Sequence, residues 1–416
     1  MQNNDKYQKY FDLYNSYAKN HKLGNKYLEL GETVGETKYY RVVYYPVSSR
    51  GLTGDRHCER EKRAWQSHKN VLRLPRRDSV SPRNDGKTFL IIPSIFNSPE
   101  IFFLSRNKSF IENLREQGEV YLIDWLEVKE PNYLLDDYVH KIVEVINNLN
   151  VNNINLIGHC IGGNLAIAAN IIASKSIKTL TLLTCPWDFS HFFYVKMLHQ
   201  YLKLDAYVEN LPLIPKIHIQ ILFFLLFPDY FQVKLDKFFS LTSEKEQELA
   251  FRIENWLMSG HDIPSNTYNQ IMQNILGENM FMNLKWKVDG TVIDPGVITC
   301  PVYIVAAKND QIVPESSILS LQKLFKSSTL IEVPGGHISY LINDKLTELF
   351  KLMSFPRRRE SSTKSLCHTA ARPRYLRTQS AIKDPVIKSR GDSIVSWIPA
   401  SAGMTSYVFF DPYSNT

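Results

Sequence analysis

Cysteine is scarce in this 416-residue chain. There are five, Cys58, Cys160, Cys185, Cys300 and Cys367, an odd set with no CxxC pair. That spacing offers neither a disulfide framework nor a zinc site, so reduced thiols are expected. Long apolar runs are also missing. The most apolar stretch, Ile219 to Phe227 (IQILFFLLF), is far shorter than the roughly 20 residues a membrane span needs, and Lys216 and His218 lie just before it. It is expected to be a buried or surface-docked helix. The first residues, MQNNDKYQKY, lack the cationic start and apolar stretch of a secretory signal, so a cytoplasmic location is expected. What the chain does have is 44% hydrophobic residues, enough to bury a sizeable core as one large or two ordinary domains.

Its formal charge of +7 is unevenly spread. Residues 49–86 hold ten Lys/Arg against five Asp/Glu, and residues 354–416 hold ten against four, so the remainder is mildly acidic. The first stretch breaks in between two strand-like runs, YYRVVYYPV and KTFLIIP, with little apolar periodicity of its own, and reads as an inserted loop. The second, from SFPRRRESS to WIPASAGMT, shows no sustained helical or strand pattern and reads as a disordered tail. Both resemble translated mobile palindromic repeats, which settle where a surface loop or a terminus tolerates them. The competing reading, a nucleic-acid-binding arm, lacks a stacking platform or a recognised binding fold, so nucleic acid is not an expected partner.

Elsewhere, short runs rich in Val, Ile and Leu alternate with helical patterns: KTFLIIP, VYLID, INLIG, LTLLT and VYIVAA. Each looks like a strand buried on both faces. Leu135, Val139, Ile142, Ile146 and Leu149 recur at helical spacing behind Asp136 and Asp137, and NLAIAANIIA suits a helix packed closely on a sheet. Strand and helix in alternation imply an α/β fold, a mostly parallel sheet with helices on both faces. From about Pro186 to Thr299 strand signals give way to aromatic and charged helical segments, which read as a helical cap over residues 186–299. The organisation expected is therefore one unit over 1–353, carrying the 49–86 loop and that cap, followed by the tail at 354–416.

Residues 154–163, INLIGHCIGG, then acquire a mechanical meaning. A strand, a glycine-flanked turn and a helix form the G-x-nucleophile-x-G elbow, with Gly158 and Gly162 relieving crowding and Cys160 pushed into the site. The helix start behind it favours a thiolate, and the Ile161 N–H would face a developing oxyanion. Asp310 follows VYIVAA in KNDQIVP, and His337 follows LIEVP in GGHIS. Nucleophile, acid, histidine is the chain order of an α/β-hydrolase. The second oxyanion donor is expected after KTFLIIP, near Ile95 or Phe96. Each residue has a bland alternative: Cys160 as a small buried side chain, Asp310 as a turn cap, His337 as a loop histidine. His159, His191 and His261 are weaker bases, because none follows a terminal strand.

A cysteine nucleophile favours holding and passing on acyl groups, since a thioester attacked by thiolate gives another thioester. At this point the chain resembles the polyhydroxyalkanoate synthases, including poly-3-hydroxybutyrate synthases. GHCIGGNLAIAA is similar to their GxCxGG box and helix, VYLIDW to their strand and tryptophan (Trp125), and IIPSIFN to their oxyanion loop. TCPWDFS, FRIENWLMSGHD, KNDQIVP and GGHIS follow in the family's order, so the likeness runs from about Thr37 to Lys351 apart from residues 49–86. Departures are Gln311, where the family often has histidine, and Ser339, where it has glycine. The resemblance implies an acyltransferase that polymerises 3-hydroxyacyl-CoA through a Cys160-bound intermediate, with coenzyme A thioester as substrate and no cofactor. Asp310 would orient His337 or itself activate the chain hydroxyl. Implied partners are 3-hydroxyacyl-CoA, the growing polyester, a second synthase subunit or a second copy of the chain, and a polymer-granule surface. A cysteine-dependent thioesterase or depolymerase of the same fold, or an inactive remnant, are the competing readings.

Overall fold

The computed structural model of the protein describes residues 2–20, 28, 31–48, 87–104, 109–225 and 230–342. The basic stretches at 49–86 and 354–416, with Cys58 and Cys367, lie outside the described residues. Among the described residues eight strands form the main sheet: β1 (Glu32–Glu36), β2 (Tyr40–Tyr45), β3 (Lys87–Ile92), β4 (Gly118–Trp125), β5 (Ile154–His159), β6 (Ile177–Leu183), β7 (Val302–Ala307) and β8 (Thr329–Val333). Their order across the sheet is β1-β2-β4-β3-β5-β6-β7-β8. β2 runs antiparallel to both its neighbours, and every pairing from β4 across to β8 is parallel.

All six residues of β5 and five of six in β3 are buried, as strands covered on both faces require. Alternation then divides the core. Leu90 and Ile92 point into one cluster, Phe89 and Ile91 into another on the opposite face. The helices met first are α1 (Gln2–Asn20), α2 (Phe110–Arg115), α3 (Leu135–Leu149) and α4 (Ile161–Ile172). α3 buries the predicted Leu135, Val139, Ile142, Ile146 and Leu149. It begins where the Asp137 carboxylate accepts the Leu134 N–H at 2.8 Å and ends at left-handed Asn150. α4 is so rich in alanine and glycine that its first ten residues are all buried against the sheet.

Strand order reverses at β3, whose successor β4 lies on one side and β5 on the other. The carboxyl ends of β3 and β5 therefore flank a crevice, the usual ligand position in such sheets. The interval between β6 and β7 adds no strand to the main sheet. It holds α5 (Phe193–Tyr201), α6 (Lys216–Leu225), α7 (Tyr230–Ser240), α8 (Glu244–Leu257) and α9 (Ser265–Asn269), the last running into a wider π-helical turn over Gln270–Gly277. These helices divide into two groups. α5, α6 and the α9 turn wall a cavity, whereas α7 and α8 join the cluster that contains Phe102, Phe110 and Tyr10 of α1. In α6 the predicted docked helix turns Ile219, Leu222 and Phe223 to the cavity and leaves Ile217 and Ile221 exposed.

α1 has no counterpart in the sequence reading. Its polar surface hides a tyrosine anchor: Tyr10 is buried, with its ring 4.9 Å from Phe238 and 5.8 Å from Phe251. The ends of the interval 49–86 are also informative. Ser48 donates its N–H to Arg115 O at 2.9 Å, Tyr45 pairs with Val120, and Lys87 pairs with Gly118. Both ends thus flank the start of β4, about 10 Å apart at two strand spacings. Deleting 49–86 and joining the ends with a short glycine-serine bridge is expected to leave the melting temperature nearly unchanged by calorimetry; a large drop would count against it.

Candidate active site

β5 ends on His159, and the chain turns at Cys160 with φ 53° and ψ −131° before α4 begins at Ile161. A cysteine in that conformation carries strain on the order of 1–3 kcal/mol. Two hydrogen bonds hold it: Cys160 N–H to Leu183 O at 2.9 Å and Gly163 N–H to Cys160 O at 2.8 Å. Gly162 makes the turn possible, because a Cβ there would collide with the backbone carbonyl oxygens of Ile92 and Pro93. Gly162→Ala is therefore expected to destabilise the fold by about 1–3 kcal/mol, read as a lower urea midpoint with unchanged slope.

Asp310 sits just beyond β7. Its Oδ1 accepts the N–H groups of Ile312 and Val313, each at 2.9 Å, and its Oδ2 accepts from His337 Nδ1 at 2.8 Å. Its side chain is 1% exposed. His337 rides on the loop after β8, where Ser339 Oγ accepts the Gly336 N–H at 2.8 Å. Ser339 is thus a buried clamp on the loop that carries the histidine. Cys160 acts on the same ring through its charge. Three elements far apart in sequence bring Cys160, His337 and Asp310 together, Asp310 bonded to the ring and Cys160 acting on it electrostatically.

Burial alone would push the His337 pKa down, but the charges of Asp310 and Cys160 and the hydrogen bond to Asp310 outweigh it and raise it to about 10. The folded value lies above the ordinary one of 6.5. The stability this contributes is complete below about pH 6.5 and is lost as pH climbs to about 10. Between those limits the wild type should lose more melting temperature than His337→Gln does.

The other histidines lie elsewhere or play another part. His191 stands 3.4 Å from Asp188, and His261 is exposed. His159, set aside as a base, lies directly beside the site. Its ring is 5.2 Å from that of His337 and edge-on to Phe102 at 5.6 Å, and its Nε2 has no hydrogen-bond partner. Burial, then the charge of His337, hold its pKa well below the usual histidine range. Tyr340 is another neighbour that sequence reasoning did not single out, with its hydroxyl 3.1 Å from Thr184 Oγ1.

The loop after β3 approaches from the other side. Trp125 Nε1 donates to Pro93 O at 3.3 Å, and the Phe96 N–H is taken by Ser94 Oγ at 3.2 Å. Between them lies Ile95, and across the crevice Ile161 is the first residue of α4, with an N–H that has no acceptor inside its helix. Above Cys160 opens an apolar cavity walled by Phe96, Phe189, Phe192, Ile219, Leu222, Phe223, Met272 and Val313 among others. Tyr268 is the one lining side chain with a hydroxyl. No group of His, Cys, Asp or Glu among the described residues is arranged to hold a metal ion. No helix among them is long and apolar enough to cross a membrane.

The model of the alpha/beta hydrolase fold family matches residues 87–344, well over half of the chain. The chain belongs to the alpha/beta hydrolase fold family. Within it, the chain is similar to proteins named poly(3-hydroxyalkanoate) polymerase subunit PhaC. That of Haloferax mediterranei is 26% identical over 291 residues, 66% of this chain and 59% of that protein. That of Allochromatium vinosum is 26% identical over 304 residues, 68% and 83% respectively. That of Thiocystis violacea is 26% identical over 298 residues, 66% and 81%. The chain thus spans somewhat over half the length of the first relative and about four-fifths of the other two. As an alpha/beta hydrolase fold, it has its elbow cysteine, acid and histidine after the fifth, seventh and eighth strands of the main sheet.

Proposed function

We propose that this chain is an acyltransferase that polymerises 3-hydroxyacyl-CoA into polyhydroxyalkanoate through Cys160. The observation that carries the reading is Cys160 in the lining of a hydrocarbon-walled cavity, acting by its charge on a His337 that is hydrogen-bonded to the buried Asp310. Its likeness to proteins named as poly(3-hydroxyalkanoate) polymerase subunits supports the substrate.

His337 takes the thiol proton and, with its raised pKa, holds it beside the sulfur. Cys160 Sγ attacks the thioester carbonyl carbon; the resulting oxyanion sits between the N–H groups of Ile161 and Ile95. The bond from carbonyl carbon to the coenzyme A sulfur breaks, and the departing sulfur takes the proton from His337. A chain hydroxyl then attacks the acyl-enzyme, gives its proton to His337, and Cys160 leaves as thiolate. Both lone-pair regions of the Asp310 carboxylate are engaged and its side chain is almost wholly buried, which supports orientation of His337 as its role. No cofactor enters the cycle. The substrate thioester and the growing polyester are the molecules that meet the cavity; a second subunit, a second copy or a granule surface would meet the exterior.

The apolar cavity supports transfer over hydrolysis, because little in its wall would hold a water in place. Purified protein given 3-hydroxybutyryl-CoA should release coenzyme A with growing turbidity, and Cys160→Ala should do neither. Release with free acid and no polymer would replace this reading with a thioesterase.

A further inference from the structure

The loop that carries Ile95 is held by a partner 160 residues away in the chain. Asn97 Nδ2 donates to Trp256 O at 3.3 Å and to Leu257 O at 3.2 Å, at the carboxyl end of α8. In return Trp256 Nε1 donates to Ser98 O at 2.9 Å, and the Ser98 N–H reaches Ser259 Oγ at 3.0 Å. Gly260, at φ +102°, lies so close to Phe96 that a Cβ would run into its carbonyl oxygen. Trp256 O also accepts the Ser259 N–H at 2.9 Å, so Asn97 joins the turn that closes α8, and the helix end in turn holds the loop. The same helix end is bonded to the cavity wall: Gln220 of α6 donates to Leu257 O at 3.2 Å.

We infer that Asn97 and Trp256 are positioning residues that set the Ile95 N–H, so that the second half of the oxyanion hole exists only while the α8 end is clasped to the loop. This rests on the reading of Ile95 as an oxyanion donor under the function proposed above. Neither residue touches the reacting atoms. Trp125, from the sheet, fixes the front of the loop at Pro93; the hydrogen bonds at Asn97 and Ser98 tie its far end to α8. Because Gln220 ties the α6 wall to the same turn, a displacement of that wall is transmitted to the oxyanion hole as well.

The test uses Asn97→Ala and Trp256→Phe in the full chain, with p-nitrophenyl acetate as a plain acyl donor and iodoacetamide as a thiol alkylator. Acylation builds an oxyanion and alkylation does not. The nitrophenolate burst should slow about 10-fold or more, part of the roughly 10²–10³ that a lost donor costs, with KM for the ester unchanged. Alkylation of Cys160 should stay within about twofold of wild type. Trp256→Phe removes the N–H donor with part of the indole but keeps an aromatic ring there, so it carries the test alone if Asn97→Ala does not fold. Burst and alkylation falling together would show general damage to the elbow and overturn the inference, as would an unchanged burst in both variants or no burst in the wild type. An expected burst pattern in a protein that leaves 3-hydroxybutyryl-CoA untouched would sustain the positioning role and sink the synthase reading.

Discussion

With Cys160 replaced by alanine, coenzyme A release from 3-hydroxybutyryl-CoA is expected to fall by a factor on the order of 10⁵–10⁶, the scale seen when a nucleophile acting in a unit is removed. The reason is geometric as well as chemical. The elbow holds the residue at φ 53° and ψ −131°, and the charge of Cys160 acts on His337. Alanine removes the thiol. Cys185, a fully buried thiol, cannot substitute: burial raises its pKa well above the usual range, and its Sγ faces Pro186 O. Coenzyme A measured with a thiol reagent, together with intact mass for the acyl-enzyme, checks this. Release persisting within about tenfold of wild type would remove Cys160 from the mechanism.

Asp310→Asn should have the second largest effect, about 10⁴ in turnover. Asparagine fits the same space, and its carbonyl oxygen can still accept the Ile312 and Val313 N–H groups. Its NH₂ then points at His337 Nδ1, which must turn acceptor, so the ring presents the wrong tautomer to Cys160. The carboxylate charge that helps raise the His337 pKa also disappears, so that pKa should fall. Turnover of Asp310→Asn followed against pH would show its ionisation well below that of the wild type. A full-speed variant with an unmoved profile would mean that Asp310 neither orients His337 nor sets its charge.

The parallel sheet was legible because β3 to β7 are near-continuous apolar runs, the mark of strands buried on both faces. α1 was not, because its anchoring residues are tyrosines spaced along a polar surface and their burial depends on Phe238 and Phe251, more than 200 positions later. The difference repeats in the site. Cys160, Asp310 and His337 each lie in a short glycine- or turn-marked segment after a strand, so local pattern exposes them. Asn97 gave only a loop signal, because its partners are backbone carbonyls at Trp256 and Leu257, and backbone partners leave no trace in sequence. His159 was passed over for a related reason: its place beside His337 follows from how β5 and β8 are arranged, not from its neighbours in the chain.

The start of β4, where the chain arrives at Ser48 and resumes at Lys87, lies at the amino ends of the parallel strands, while Cys160 lies at the carboxyl ends. Six residues of strand separate the two, roughly 20 Å. A folded guest, such as a fluorescent reporter whose own termini are about 10 Å apart, could be grafted in place of residues 49–86 without standing over the thiol. This alpha/beta hydrolase fold therefore offers a socket for cargo at the end of the sheet away from Cys160, and cargo placed there would leave the cavity mouth free.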